Sequence, residues 1–445
     1  MIELSPEVIT VLMLGGILVG VMAGYPLGLV IGGLALIFGF AIQGPGVGQL
    51  VYMRVWGVFL NYVLLAIPLF VFMGLMLARS GIAERMYDAL YVWLGGLRGG
   101  LAMTTVIIGT VLAACVGTIT AEVTMLTVVA LGPMVKRGYS KSLATGSICA
   151  GGTLGILIPP SIMLVVYGPM AEISVGKLFF GAFGPGLLLS ALYLGYILLR
   201  GLFQPEVAPA LPAEERAAPF IKKTTALFTS LVPPALLIAG VLGVIFLGIA
   251  APTEAAGSGA FIATLLAIAY RKFSWTILGD VSLAAVKLCG FIFVIASCSV
   301  AFTAVFLAAG GGDVVREALL AVPGGRWGTF ATTMFIMLVL GMFISWMGIL
   351  FIMVPIITPI GAALGFDPLW FSVMMCVNLQ MSFMTPPYAV AIFVCRGAAA
   401  PELGVTINDI IRGVIPFVIL IMVGIGLCIA FPQTILWLPH QMIKF

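Results

Sequence analysis

The sequence predicts an all-α polytopic membrane protein made of two inverted repeats, each holding a re-entrant helical hairpin and a broken transmembrane helix. Three observations lead there. Of 445 residues, 62% are hydrophobic and only 8% are charged, where a soluble globular domain carries about 25% charge. Two apolar stretches are broken by glycine and paired prolines: Ala150 to Ser161 (AGGTLGILIPPS) and Asn378 to Tyr388 (NLQMSFMTPPY). Two further apolar runs are too long for one span, and each is punctured near its middle by small polar residues.

Taking the breaks first, Pro159 and Pro160 lack backbone donors and clash with the preceding turn, and Gly151, Gly152 and Gly155 loosen the chain ahead of them. Pro386 and Pro387 play the same part later. Broken backbone at membrane depth survives only where it is buried in protein or lines a polar cavity, because lipid cannot satisfy freed carbonyls.

Spans of roughly 20 apolar residues are expected at 7–23, 25–43, 58–79, 144–169, 181–200, 224–249, 253–270, 284–308, 368–395 and 410–432. The overlong runs become hairpins at 97–138, with its tip at Gly117 to Thr120, and at 328–365, with its tip at Ser345 to Gly348. The expected organisation is scaffold spans and an interfacial helix over 1–96, a first repeat core over 97–200 and a linker over 201–223. Second scaffold spans follow over 224–326, a second core over 327–432 and a tail over 433–445. Ile82 to Gly99 mixes charges with Met, Leu and Trp, as an interfacial helix does, and Asp280 to Lys287 is a second candidate interfacial turn.

With both ends of the first hairpin in the cytoplasm, fifteen of the 20 lysines and arginines fall inside, leaving Arg54, Lys177, Arg316, Arg326 and Lys444 outside. The second hairpin then enters from the opposite face, and both termini lie outside the cytoplasm. The N-terminus, Met1-Ile-Glu-Leu, carries no basic region ahead of its first apolar run, so the first span is expected to stay as an anchor. The halves share spacing as well: Pro133 to Pro159 is 26 residues and Pro359 to Pro386 is 27. Paired breaks and hairpin tips meeting near the midplane offer helix N-termini to an anion and free carbonyls to cations, as secondary transporters do.

Candidate chemistry follows from this placement. Thr118, Thr120 and Thr153, with carbonyls of Gly117, Gly152 or Ile158, form one set of oxygens able to cage Na⁺; plain capping of half-helices is the alternative use of those hydroxyls. Ser345, Ser382 and Thr385, with the amides of Asn378 and Gln380, form the other set, and helix–helix hydrogen bonding is the alternative for the two amides. Glu122 is an ionisable group at membrane depth and so a functional candidate by default, a plain cap-region acid being the alternative, while Glu254 after Pro252 suits a helix start. The seven cysteines are irregularly spaced in apolar stretches and read as small hydrophobes. The single histidine, His440, excludes a histidine proton relay, and the chain lacks a P-loop, G-x-S-x-G and H-E-x-x-H. An enzyme is therefore not expected.

Several runs together resemble the large membrane subunit (DctM-like, or M subunit) of tripartite ATP-independent periplasmic (TRAP) transporters, within the ion transporter superfamily. They are Ile67-Pro-Leu-Phe to Ser80-Gly-Ile, Met134 to Tyr139, Ala150 to Ser161, Pro252 to Ala256 and Asn378 to Pro387. The wording around Ser345 and Asn378 is similar to the subgroup labelled mannitol/chloroaromatic. The resemblance implies an elevator-type scaffold and transport domain, Na⁺-coupled import of small organic acids through the bacterial inner membrane, and two or more Na⁺ ions. It also implies two partners, a small membrane subunit as a separate chain and a periplasmic substrate-binding protein. Carried onto this sequence, it assigns a first sodium site to Gly117, Thr118, Thr120, Gly152 and Thr153 and a second to Ser345, Gly348, Ser382 and Thr385. The substrate is expected between the tips, near Thr120, Glu122, Ser161, Ser345 and Gln380. The rival expectations are a carboxylate symporter needing no binding protein, and a channel or structural membrane subunit. No arginine sits in either break, so the particular acid is not legible.

Overall fold

The computed structural model describes residues 4–212, 219–387 and 389–442. Glu214, Glu215 and Arg216 of the expected linker, Tyr388 of the second break and Lys444 of the tail lie outside the described residues. The described chain is helical, with no strand among those residues, and nine of its helical segments are long and apolar enough to cross a membrane.

The first half runs through α1 (Pro6–Met22), α2 (Leu27–Gln43), α3 (Val47–Phe59), α4 (Ala66–Arg79) and the amphipathic α5 (Ile82–Leu94). The hairpin follows as α6 (Gly100–Val116), then α7 (Ile119–Leu126), a π-helical turn (Thr127–Leu131) and α8 (Gly132–Lys136). Next come the broken helix, α9 (Lys141–Thr153) and α10 (Ile162–Ala171), and the long α11 (Val175–Phe203). The second half repeats the order with α12 (Phe220–Phe246), α13 (Pro252–Ala269), α14 (Trp275–Ala308) and α15 (Gly311–Leu320). Its hairpin is α16 (Gly325–Gly341) and α17 (Trp346–Ala363), its broken helix α18 (Pro368–Ser382) and α19 (Val390–Ala398), followed by α20 (Ile407–Ala430) and α21 (Gln433–His440).

The repeat is visible in register and in packing. Ile119, Lys141 and Pro159 correspond to Trp346, Pro368 and Pro386, each 227 positions on, and both proline pairs hold cis peptide bonds. The one-residue mismatch between the two proline spacings is local. Ile119 to Pro133 is one position longer than Trp346 to Pro359, where the first hairpin carries the π turn at Thr127–Leu131 and α17 carries none. The connection from Pro133 to Lys141 is one position shorter than that from Pro359 to Pro368, which restores the register. Packing obeys the same exchange: α4 lies on α13 and α14 on α2, while α7 lies on α19 and α17 on α10.

The inversion can be read along α11. A side chain at Gly201 would meet Arg98, at the base of the first hairpin, and one at Gly181 would meet Leu369 and Val373, beside the base of the second. Twenty residues of helix rise about 30 Å, the thickness of a bilayer's hydrocarbon core. The two hairpins therefore enter from opposite ends of the molecule. The first base carries Arg98, Lys136 and Arg137; the second is walled by Trp327, Phe330, Phe366 and Trp370, with Arg326 over the rings of Trp327 and Phe366, as befits an interfacial aromatic belt.

Some elements depart from expectation. The span expected at 58–79 is present as Tyr62–Arg79, opened where the Asn61 side chain accepts the Val63 amide at 3.1 Å, but α3 ahead of it is not among the expected spans. Its counterpart α14 is one unbroken helix of 34 residues. The interfacial turn expected at Asp280 to Lys287 does not exist. Ser274 caps the helix ahead of it, and with no proline between Trp275 and Lys287 both charged residues ride on α14. The second interfacial element is instead α15, whose Asp313, Arg316 and Glu317 mirror the charges of α5.

Candidate functional site

The first hairpin tip and the first break are docked together. Gly117 takes a left-handed conformation (φ 65°) that ends α6, and Thr118 is extended so that α7 can start in the opposite direction. A Cβ at Gly117 would lie 3.4 Å from the Pro160 carbonyl and 3.7 Å from the Ile162 amide, so the tip rests directly on the break. Pro159 and Pro160 are buried, and the Ser161 hydroxyl donates to the Ile156 carbonyl at 2.5 Å. Gly109 and Gly152 permit the close approach of the hairpin arms to α9: a methyl group on Gly109 would fall 2.8 Å from the backbone of Gly151, and one on Gly152 would strike Val123.

The second half is arranged differently. Ser345, half-buried, lines a cleft of about 440 Å³ with Tyr25, Phe291 and Phe343, between the tip and the turn joining α1 to α2. Gly348 abuts Leu27 of the same region. Pro386 and Pro387 are exposed, in contrast to their buried counterparts. Tip 1 thus sits on its own break, while tip 2 leans on the scaffold helices.

Between the halves, the two broken helices are joined by side chains. The Gln380 amide lies 3.4 Å from both the Thr153 hydroxyl and the Tyr193 hydroxyl, and Thr153 also lies 3.7 Å from the Met384 sulfur. Asn378 donates to the Met334 carbonyl at 2.8 Å, fastening α18 to the first arm of the second hairpin. Thr385 donates to the Met381 carbonyl within its own helix end. The expected set is thereby sorted: Thr153 and Gln380 meet, Thr118 is half-buried beside the break, and Thr120 points to the surface. Ser382 is buried against Gly341 of the second hairpin.

Four buried oxygens here have no hydrogen-bond partner: Glu122 Oε1 and Oε2, Gln380 Oε1 and Ser382 Oγ. Glu122 is fully buried, with Oε2 turned into the space that Gly155 leaves by having no side chain. An unpaired buried carboxylate costs several kcal/mol. Glu254 has the structural use: its side chain accepts the Ala251 amide at 2.9 Å at the start of α13. Residues that sequence reasoning missed are Tyr193 and Met384, and it takes Gly155 only as a loosening of the break. Tyr193 lies on α11 in an ordinary apolar span, and nothing in its local sequence marks it.

A profile of the tripartite ATP-independent periplasmic transporter DctM component matches residues 10–434. The chain belongs to the DctM family. It is 32% identical over 381 residues to the C4-dicarboxylate TRAP transporter large permease protein DctM of Pseudomonas aeruginosa, covering 85% of this chain and 87% of that protein. It is 28% identical over 440 residues to the sialic acid TRAP transporter large permease protein SiaM of Vibrio cholerae, covering 95% and 96%. In fold it is similar to the YdaH transporter of Alcanivorax borkumensis, with a TM-score of 0.65 at 16% identity over 96% of this chain and 99% of that one. The chain is thus a multi-pass membrane protein with its two hairpins and two breaks at the centre.

Proposed function

We propose that this DctM chain is the membrane-embedded carrier of a Na⁺-coupled importer of a small organic acid in the bacterial inner membrane. Substrate arrives from a periplasmic binding protein, and a separate small membrane subunit completes the complex. The supporting observation is the set of buried, unpartnered oxygens on the hairpin and break helices, at Glu122, Gln380 and Ser382, in a family of secondary permeases. Of these, Ser382 Oγ belongs to the second ion site, and unwound carbonyls at broken helices supply further ligands. Thr118, Thr153 and the carbonyls of Gly117 and Gly152 serve one ion, and Ser345, Gly348, Ser382 and Thr385 a second. The substrate anion docks between the tips against half-helix N-termini, near Thr120, Ser161, Ser345 and Gln380. The contrast between a tip seated on its break and a tip leaning on the scaffold fits an elevator-type motion, with hairpins and breaks moving against α1–α4 and α12–α14.

The test is uptake into proteoliposomes holding the chain and its small partner, with binding proteins preloaded with organic acids and with or without an inward Na⁺ gradient. Accumulation requires both Na⁺ and binding protein. Thr118→Val and Ser345→Val each weaken apparent Na⁺ affinity about tenfold, the worth of one lost hydrogen-bond-class ligand. Unchanged Na⁺ dependence in both variants overturns the ion sites. Uptake without binding protein makes the chain a simple symporter, and flux without accumulation makes it a channel.

A further inference from the structure

We infer that a groove between α5 and the first three turns of α12 is a binding site for one anionic phospholipid. The groove has a volume of about 440 Å³, and its lining carries Arg85, Lys222 and Lys223 with Asp88 as the one acid among the described lining residues. Deeper, its wall is uncharged, with Ala89, Val92, Ala226, Thr229 and Ser230, and the Thr229 hydroxyl is turned back onto the Thr225 carbonyl. Charge above and an uncharged wall below is the profile of an amphiphile.

The surroundings fix what that amphiphile is. The α12 helix is a membrane span that begins just before Lys222, so its first turn stands where lipid headgroups stand. The α5 helix is amphipathic, with Ile82, Met86, Leu90 and Leu94 buried and Glu84, Arg85 and Asp88 exposed, and such a helix lies along the headgroup layer. Arg85 is held in place by stacking 4.6 Å over the ring of Tyr270. Arg271 follows Tyr270 directly, and Lys272 lies over Gly81 at the foot of α5 beside the Glu84 carboxylate, so two further cations stand with one acid at the same end. Basic pockets between membrane helices at the headgroup level recruit anionic lipids, each Lys or Arg contributing about fivefold in affinity. A free phosphate ion would use the cations and leave the uncharged wall idle.

The site has a mechanical consequence. The α5 helix packs on both α12 and α6, so it connects a scaffold span to the first arm of the first hairpin. A lipid seated between α5 and α12 braces that connection. This inference does not depend on the substrate or on Na⁺ coupling.

Native mass spectrometry of the purified chain with equal phosphatidylglycerol and phosphatidylcholine tests it, together with thermal unfolding in nanodiscs of either lipid. The wild type retains phosphatidylglycerol selectively and melts at higher temperature in it. The triple variant Arg85→Gln, Lys222→Gln, Lys223→Gln loses roughly a hundredfold of that preference, from three fivefold steps. Val92→Phe, which fills the uncharged wall and leaves every charge in place, also lowers retention. Arg326→Gln, at the opposite end of the molecule, leaves it unchanged. Equal retention of the two lipids by the wild type, wild-type retention by the triple variant, or an equal melting shift from inorganic phosphate alone each overturns the proposal. Failure of the uptake assay leaves this readout intact.

Discussion

The crossing of α9 and α20 gives the sharpest stability prediction. Gly146 and Gly413 face each other there at backbone contact. A Cβ at Gly146 would collide with the Gly413 carbonyl oxygen, lie 2.6 Å from its carbon and 3.0 Å from the ring of Phe417. The reverse substitution at Gly413 meets the Ser142 carbonyl and the Gly146 amide nitrogen, the latter at 3.0 Å. None of the opposing backbone atoms can rotate away. Carbon atoms settle at about 3.5–4.0 Å, so Gly146→Ala must part the helices by roughly 1 Å. A gap of that size forfeits a quarter to a half of each dispersion contact along the interface. Overpacking of this kind costs about 1–3 kcal/mol, and a backbone-to-backbone collision belongs at the upper end. Thermal unfolding of purified protein in detergent should show a fall of roughly 3 °C, because about 2.1 cal/mol/K per residue over 445 residues makes each kcal/mol worth about 1 °C. The control is Gly240→Ala on α12, where a Cβ meets nothing within 4 Å; helix propensity makes it neutral or slightly stabilising. If Gly146→Ala melts with the wild type, the α9–α20 contact is not as close as described, and the small-residue account of this interface is refuted.

Other consequences are open to direct measurement. Asn378→Val removes the bond to the Met334 carbonyl and should cost about 0.6–1.7 kcal/mol in the same unfolding assay, the range for hydrogen bonds between membrane helices; no loss would mean that this bond is already compensated. Asp409→Ala breaks the capping box in which the Thr406 amide and hydroxyl both donate to the carboxylate, at 2.9 and 2.7 Å, with a cost of about 1 kcal/mol. Gln380→Leu severs the links to Thr153 and Tyr193 and should lower Na⁺-dependent uptake, while Tyr193→Phe, which removes one of those two links, lowers it less. Equal losses in the two variants would show that Tyr193 is the main partner.

Much of the fold was legible because bilayer physics leaves few choices. A chain with so little charge must hide its backbone in helices, and paired prolines cannot sit in a continuous one. The positions of both breaks, both hairpin tips and the amphipathic α5 follow from those rules and from where glycine, proline and charge interrupt apolar runs. Misreadings fell where the local signal was weak. Asp280 and Lys287 look like a boundary, yet a helix absorbs two charges when they stand toward the headgroups, and α14 is longer than the hydrocarbon core it crosses. The α15 helix was overlooked because its ten residues are too short and too polar to register as a span.

The sequence by itself determined the solvent the protein lives in, the helical class, the two-repeat arrangement and the breaks at its centre. Local rules of backbone sterics, hydropathy and charge suffice for each. Tertiary structure decided which residues meet. Thr153 finds Gln380 across 227 positions, Tyr193 joins them from a featureless apolar helix, and Gly155 clears the space that the Glu122 carboxyl occupies. Those meetings depend on how helices cross and how closely glycines let them approach, and close packing is a property of the assembled bundle that no single stretch of sequence carries.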